Sequence, residues 1–284
     1  MPRGDKSFKN LPRRKSTDNK SAGGKCLIIA GRKNMFGAAV LAATAAARVG
    51  AGYVYLMTDT EKFIFCKHPD FILLPRTFRK FQNFDSIAIG PAFGVTAESF
   101  RILKALIKAA PEKVIVDADA LTLIAKHNIS ELPSTWVLTP HEGELAKLLG
   151  TSAQKIKSAR LTSVVKAQKK FGCVVLLKGQ GTLISSEKSV KKINKGNAAL
   201  AKAGTGDVLS GLVAGFMAQN ISAAKAAELA AVVHGSAADK WVKKKDHLSL
   251  MASDLLEMIP EVLLQIRRKT PASRRRRSAG FLRA

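Results

Sequence analysis

The stretch Cys26-Leu27-Ile28-Ile29-Ala30-Gly31-Arg32-Lys33-Asn34, followed by alanine-rich Gly37 to Val49 and then by Val54 to Met57, decides the fold. Its first five residues are apolar without alternation, as in a strand buried on both faces. Gly31 to Asn34 are turn residues, Gly37 to Val49 predicts a helix, and Gly50 suits its stop. Strand, helix and strand joined by short connections are the repeating unit of a parallel sheet covered by helices. The same alternation continues along the chain. Ser86 to Ile89 closes on Gly90-Pro91-Ala92-Phe93-Gly94, and Thr96 to Ala109 is helical. Lys113 to Val116 ends in Asp117-Ala118-Asp119, and Trp136 to Leu138 enters Thr139-Pro140-His141-Glu142-Gly143-Glu144 and a helix to Leu149. Cys173 to Leu177 enters Lys178-Gly179-Gln180-Gly181-Thr182. The last third predicts helices over Asp207 to Ala218, Ala223 to Lys240 and Ala252 to Ile266. The expected class is α/β, a mainly parallel central sheet with helices on both faces. One domain over 25–266 lies between a basic arm, 1–24, and a basic tail, 267–284, that reads as disordered.

Composition narrows the partners. The 284 residues are 46% hydrophobic and 6% aromatic, which fits a core of Ala, Val, Leu and Ile. No apolar run reaches bilayer length, and the basic N-terminus lacks the apolar region of a secretory signal. Cys26, Cys66 and Cys173 are far apart and read as buried thiols in a reducing compartment, so the cytoplasm is the expected address. The formal charge of +26 raises a nucleic-acid reading. Much of it sits in the tails, at Arg13 to Lys15, Arg267 to Lys269 and Arg274 to Arg277, and the remaining lysines have few aromatics among them. Nucleic acid is therefore expected only as a non-specific partner of the tails.

The chemistry is concentrated where strands end. Asn194 to Gly211 runs from a glycine-containing loop, Gly204-Thr205-Gly206-Asp207, straight into a small-residue helix. Amides at such a helix start form a concavity for anions, and Asp207 lies among them. Donors for a phosphate beside a carboxylate base are what phosphoryl transfer needs, although the loop reads equally as a glycine turn with Asp207 as a helix cap. Asp117 and Asp119 suit Mg²⁺ or a ribose, or a helix cap. His141 and Glu144 are too sparse for a zinc site. They suit a donor to a substrate and a carboxylate near magnesium-bound water, or, for Glu144, a helix N-terminus. Lys178 to Thr182 is no Walker loop, but suits nucleotide phosphates or a plain hairpin turn. In open α/β sheets loops at the strands' carboxyl ends share one crevice.

Taken in order, Gly37-Ala38-Ala39, Gly90 to Gly94, Val116 to Leu121, Leu138 to Glu144, Leu177-Lys178-Gly179 and Gly204 to Asp207 resemble the NAD(P)H-hydrate dehydratase family. The resemblance covers nearly the whole chain and implies a ribokinase-like fold. It implies an ADP-dependent hydro-lyase, with ATP as the other donor, that phosphorylates the ring hydroxyl of hydrated NADH or NADPH and then loses phosphate. On the resemblance, Asp207 takes the hydroxyl proton and the amides from Gly204 to Asp207, Gly206 included, hold the moving phosphoryl group. Ala38 or Ala39, Gly94, His141 and Asp207 touch the dinucleotide. Lys178, Gly179, Gln180, Gly181, Thr182 and Gly206 hold the adenine nucleotide, with Mg²⁺ near Glu144. It further implies a homotetramer, and the chain reads as a dehydratase without a fused epimerase domain. The chain departs from the family pattern at Arg32, where serine is frequent, at Ala92, Ala198-Ala199 and Ala203, where glycine or proline-glycine is common, and at Lys202, an added cation beside the nucleotide loop. A vitamin-precursor kinase of the same fold and a basic nucleic-acid-associated protein are the competing readings.

Overall fold

The structure, a computed structural model, describes residues 11–59 and 69–269. Nine strands form one sheet in the order β3-β2-β1-β4-β5-β6-β7-β8-β9. They are β1 Lys25–Ile29, β2 Tyr53–Met57, β3 Phe71–Leu74, β4 Ser86–Ile89, β5 Val114–Val116, β6 Val137–Leu138, β7 Val174–Leu177, β8 Thr182–Ser186 and β9 Ser189–Ile193. β1 to β7 pair in parallel, while β8 and β9 turn back antiparallel as a terminal hairpin. The sheet is mainly parallel and ribokinase-like, as expected; the antiparallel edge was not foreseen. Its β9 strand, Ser189-Val190-Lys191-Lys192-Ile193, is exposed except at Ile193. Lysines on an edge strand block further pairing and erase the apolar pattern that marks a buried strand.

Successive strand residues serve opposite cores. Ile28, Leu56, Ala88, Ile115 and Leu176 pack beneath α1 (Phe36–Arg48), α7 (Thr205–Ala218), α8 (Ala223–Trp241) and α9 (Ala252–Lys269). Leu27, Ile29, Ile87, Val116 and Val175 face the layer of α2 (Ala97–Ala109), α3 (Ala118–Lys126), α4 (Glu142–Leu149), α5 (Ala153–Ser158) and α6 (Arg160–Phe171). Two apolar faces explain the unbroken apolar runs. α1 and α7 approach closely because Gly211 and Gly215 carry no Cβ: one at Gly211 would stand 2.8 Å from Ala42 Cα. Thr96 caps α2 by accepting from Ser99 N, as its position before the helix suggests.

Residues 11–24 carry one 3-10 turn, Lys20–Gly23, and Leu11 is buried against the α1 side of the sheet. Residues 1–10, the arginine-rich 270–284 and Cys66 lie outside the described residues. Cys26 and Cys173 are buried, and burial pushes both thiols up to about 12, so neither is reactive. Among the described residues no helix is long and apolar enough to cross a membrane.

Candidate active site

Strands β1, β4, β5, β6 and β7 end on one side of the sheet, and α7 starts there. Gly204 is the N-cap of α7, at φ +88°, a left-handed conformation that glycine adopts without strain. No side chain caps this helix. Thr205 N donates to Lys202 O at 3.4 Å, while among the described residues the amides of Gly206 and Asp207 reach no protein acceptor. The expected cradle of Gly204 to Asp207 thus narrows to those two amides, which form the positive end of the helix dipole. Thr205 braces them. Its hydroxyl, 2.8 Å from Leu200 O and 2.9 Å from Lys202 O, shares its one proton between them, and its carbonyl accepts from His234 Nε2 at 2.9 Å. Burial pushes His234 down to about 4, so the ring is neutral, with its proton on the nitrogen that meets the carbonyl.

Asp207 does not cap the helix. Its carboxylate is half-buried and, among the described residues, makes no hydrogen bond to protein. Burial, then the Asp117 charge, push its pKa up to about 7; Lys178 opposes them and Asp119 adds to them. Asp117 holds the centre of this network. It stands at the N-cap of α3 without using its side chain as a cap. Instead it is buried, accepting from Lys178 Nζ at 2.7 Å and from Ser210 Oγ at 2.6 Å. Lys178 also lies 3.5 Å from Glu144 Oε2. Burial disfavours its charge, but the two carboxylates more than offset that and hold its pKa above the ordinary lysine value. A Cβ on Gly206 would stand 3.7 Å from this ammonium, so Lys178 reaches the start of α7.

Glu144 and His141 form a capping box at the start of α4. Glu144 Oε2 accepts from His141 N at 2.8 Å, and His141 Nδ1 accepts from Gly143 N at 3.0 Å. With Nδ1 accepting, Nε2 is the ring's donor nitrogen; it lies 3.7 Å from Glu144 Oε2 on an exposed side chain that a ligand can reach. Glu144 has the structural task expected of a helix N-terminus as well as its lysine contact. Asp119 accepts from Gly94 N at 2.7 Å and so holds the β4 loop. In that loop Ala92 has φ +46°, and Ala118 between the two aspartates has φ +47°, so both turns bend through a region alanine rarely adopts.

A cavity of about 470 Å³ lies beside the Lys178 ammonium, walled by Gly179, Gln180, Asn197, Thr205, Gly206 and His234 among others. That volume suits a nucleotide-sized ligand. Of the residues expected to hold the nucleotide, Lys178, Gly179, Gln180, Thr182 and Gly206 line this cavity and Gly181 does not; it belongs to the turn between β7 and β8. Lys178 to Thr182 is thus a hairpin turn that also walls the cavity. Ala39 is fully buried, and Gly31 approaches its Cβ, so of the alanine pair only half-buried Ala38 has surface to offer. Lys202 does not add a cation to the cavity, because its ammonium donates to Leu248 O. Sequence reasoning missed His234, Ser210 and Asp239. It also missed Arg160, which ion-pairs with Glu142 and donates to Lys178 O at 3.3 Å. Asp239 accepts from Gly196 N at 3.2 Å and from Asn197 Nδ2 at 3.0 Å, fixing one cavity wall. These residues lie in helical stretches without a motif, and only the fold brings them to the loops.

An uncapped helix start, a half-buried carboxylate and a lysine beside a nucleotide-sized cavity, set at the strand ends of a mainly parallel sheet, define the class as a ribokinase-like α/β protein. Within that class the chain belongs to the NAD(P)H-hydrate dehydratase family, whose model matches residues 26–261. It is 36% identical over 262 residues to the bifunctional NAD(P)H-hydrate repair enzyme Nnr of Vibrio cholerae, covering 89% of this chain and 52% of that one. The chain spans about half the length of the curated relatives it matches. Among solved structures, the ADP/ATP-dependent NAD(P)H-hydrate dehydratase of Bacillus subtilis, co-crystallised with ATP and Mg²⁺, superposes with a TM-score of 0.84 at 28% identity. It covers 92% of this chain and 96% of its own. A ribokinase-like protein of Enterococcus faecalis, at 24% identity and the same TM-score over 93% and 95% of the chains, shares the fold.

Proposed function

We propose that the protein dehydrates hydrated NADH and NADPH, using ADP as phosphoryl donor. The observation that carries this reading is Asp207: a carboxylate that makes no hydrogen bond to protein among the described residues, with its pKa pushed up to about 7, on the first turn of an uncapped helix. A base that titrates near neutrality is matched to removing an alcohol's proton. The ring hydroxyl loses its proton to Asp207 as its oxygen takes the donor's terminal phosphoryl group, leaving AMP. The amides of Gly206 and Asp207, with Lys178, offset the charge on that group. The carbon–oxygen bond then breaks, phosphate leaves where hydroxide could not, and loss of the neighbouring ring proton restores the double bond. Products are NAD(P)H, AMP and phosphate.

The residues fit a magnesium ion carried on the nucleotide's phosphates. Among the described residues no cluster of three metal-ligating side chains exists, so the ion would rest on the phosphates, with the half-buried carboxylates of Glu144 and Asp207, near Lys178, to meet its waters. Mg²⁺ would supply charge neutralisation on the transferred phosphoryl group. The cavity beside Lys178 takes the adenine nucleotide, and the loops around Ala38, Gly94 and His141 take the dinucleotide. ADP preference over ATP, homotetrameric assembly and residence in the cytoplasm complete the reading. Large exposed apolar side chains at Leu248 and Met251 support assembly.

The test incubates hydrated NADH with ADP and Mg²⁺ and follows the reduced-nicotinamide absorbance. Wild type restores it, and Asp207→Asn does so about 10²–10⁴-fold more slowly. Equal rates for both would remove the base. A stable phosphorylated alcohol without recovered absorbance would make the protein a kinase instead.

A further inference from the structure

We infer that Arg32 binds a phosphate of the dinucleotide at the mouth of the site. The inference rests on the functional reading above. The sheet order reverses at β1, which lies between β2 and β4. The connection leaving β1 is α1, on one face of the sheet, and the one leaving β4 is α2, on the other. Diverging connections open a crevice at the strands' carboxyl ends, where open α/β sheets hold ligands. Its two sides are tied together by Gly31 N, which donates to Pro91 O at 2.9 Å.

Arg32 stands over this crevice. It begins the turn closed by Met35 N donating to Arg32 O at 2.8 Å, and its side chain crosses to the β4 loop. A Cβ at Gly94 would lie 2.8 Å from Arg32 Nε and Nη1, so the guanidinium rests on the face that only a glycine leaves open. The Gly94 amide is turned the other way, to Asp119. Arg32 is exposed, and among the described residues its guanidinium has no hydrogen bond or ion pair. Arg76, beyond the same loop, is spent differently, on Asp59 at 2.8 Å and on the Phe93 ring. Asp117, Asp119 and Asp207 make the inner crevice acidic and would repel a dinucleotide's phosphates. A planar cation with five free donors at the rim reverses that repulsion and matches phosphate geometry. A ligand that reaches Gly94 must meet Arg32 first.

The experiment titrates NADH and NADPH into the full chain and its Arg32→Ser and Arg32→Lys variants, by nicotinamide fluorescence and without ADP. Both dinucleotides carry the phosphates of their hydrates. Arg32→Ser is expected to weaken NADPH binding about tenfold, the order of one charge-assisted hydrogen bond, and Arg32→Lys less. An equal loss with NADH assigns the contact to the pyrophosphate; a loss confined to NADPH assigns it to the 2′-phosphate. Binding of both dinucleotides within about twofold of wild type in Arg32→Ser, or no binding by wild type, overturns the inference. Failure of the functional reading is distinct: wild type would bind through Arg32 and yet restore no NADH from its hydrate with ADP and Mg²⁺.

Discussion

Asp207, on the first turn of α7, and Asp117, at the end of β5, form a pair of unlike roles. Asp117 is buried and fully engaged by Lys178 and Ser210, whereas Asp207 stays unengaged with its pKa raised. The acid limb of turnover is therefore expected near pH 7, where Asp207 gains its charge. Replacing Asp117 by Asn removes a negative charge that favours protonation, and leaves Lys178 less neutralised, so both changes move that limb to lower pH. A pH–rate profile of Asp117→Asn with an unmoved limb would refute the coupling. The same shift bears on stability. A carboxyl raised in the folded state binds its proton more tightly there than in the unfolded chain. Its contribution is present below the unfolded value of 3.8 and is lost as pH rises through about 7. Asp207→Asn should accordingly raise the thermal midpoint at pH 8 and leave it unchanged at pH 4, as calorimetry at the two values can check.

At the scale of elements, α7 sets the site because it is seated against α1 without side chains between the backbones. Gly211→Ala would drive a methyl group into the Ala42 backbone and is expected to cost about 1–3 kcal/mol. Since α7 carries the amides at its first turn, activity should fall with stability. Gly37→Ala is the contrasting case. Nothing lies within 4 Å of a Cβ there, and the position is helical, so the change should stabilise by about 0.5–1 kcal/mol. Denaturation midpoints that move alike for the two variants would contradict this account. Elements also separate what could be read early from what could not. α1, α7 and the strands β1, β4, β5 and β7 carry apolar patterns and stops that belong to their own residues. β8 and β9 escaped because a terminal hairpin with lysines on its outer strand has no clean periodic signature, and β3, four residues long and only partly buried, escaped with them.

One hydrophobic core lies on each face of the single sheet, and the cavity beside Lys178 opens between the β7–β8 hairpin, α7 and α8. A nucleotide bound there ties the antiparallel hairpin to the helical layer, so binding should register as global stability. ADP with Mg²⁺ at about 100 times its Kd contributes about 2.7 kcal/mol, which raises Tm by several degrees. Lys178→Met should abolish most of that shift, because it removes the cation from the cavity mouth while leaving the apolar wall. A full shift in Lys178→Met would move the nucleotide elsewhere.

The sequence alone determined the alternation of buried strands and helices, the parallel core and the loops in which chemistry collects. Each of these depends on residues adjacent along the chain: apolar runs, glycine stops, a carboxylate after a glycine turn. It also carried the family, through six motifs in register. Only the tertiary structure decided which of those loops meet, that Asp117 faces Lys178 and Ser210 rather than its own helix, and that His234 braces Thr205 from another helix. It likewise decided that Lys202 turns away to Leu248 and that Arg32 covers Gly94. Those contacts join residues 29 to 93 positions apart, and no local pattern encodes where a side chain ends once distant elements have packed.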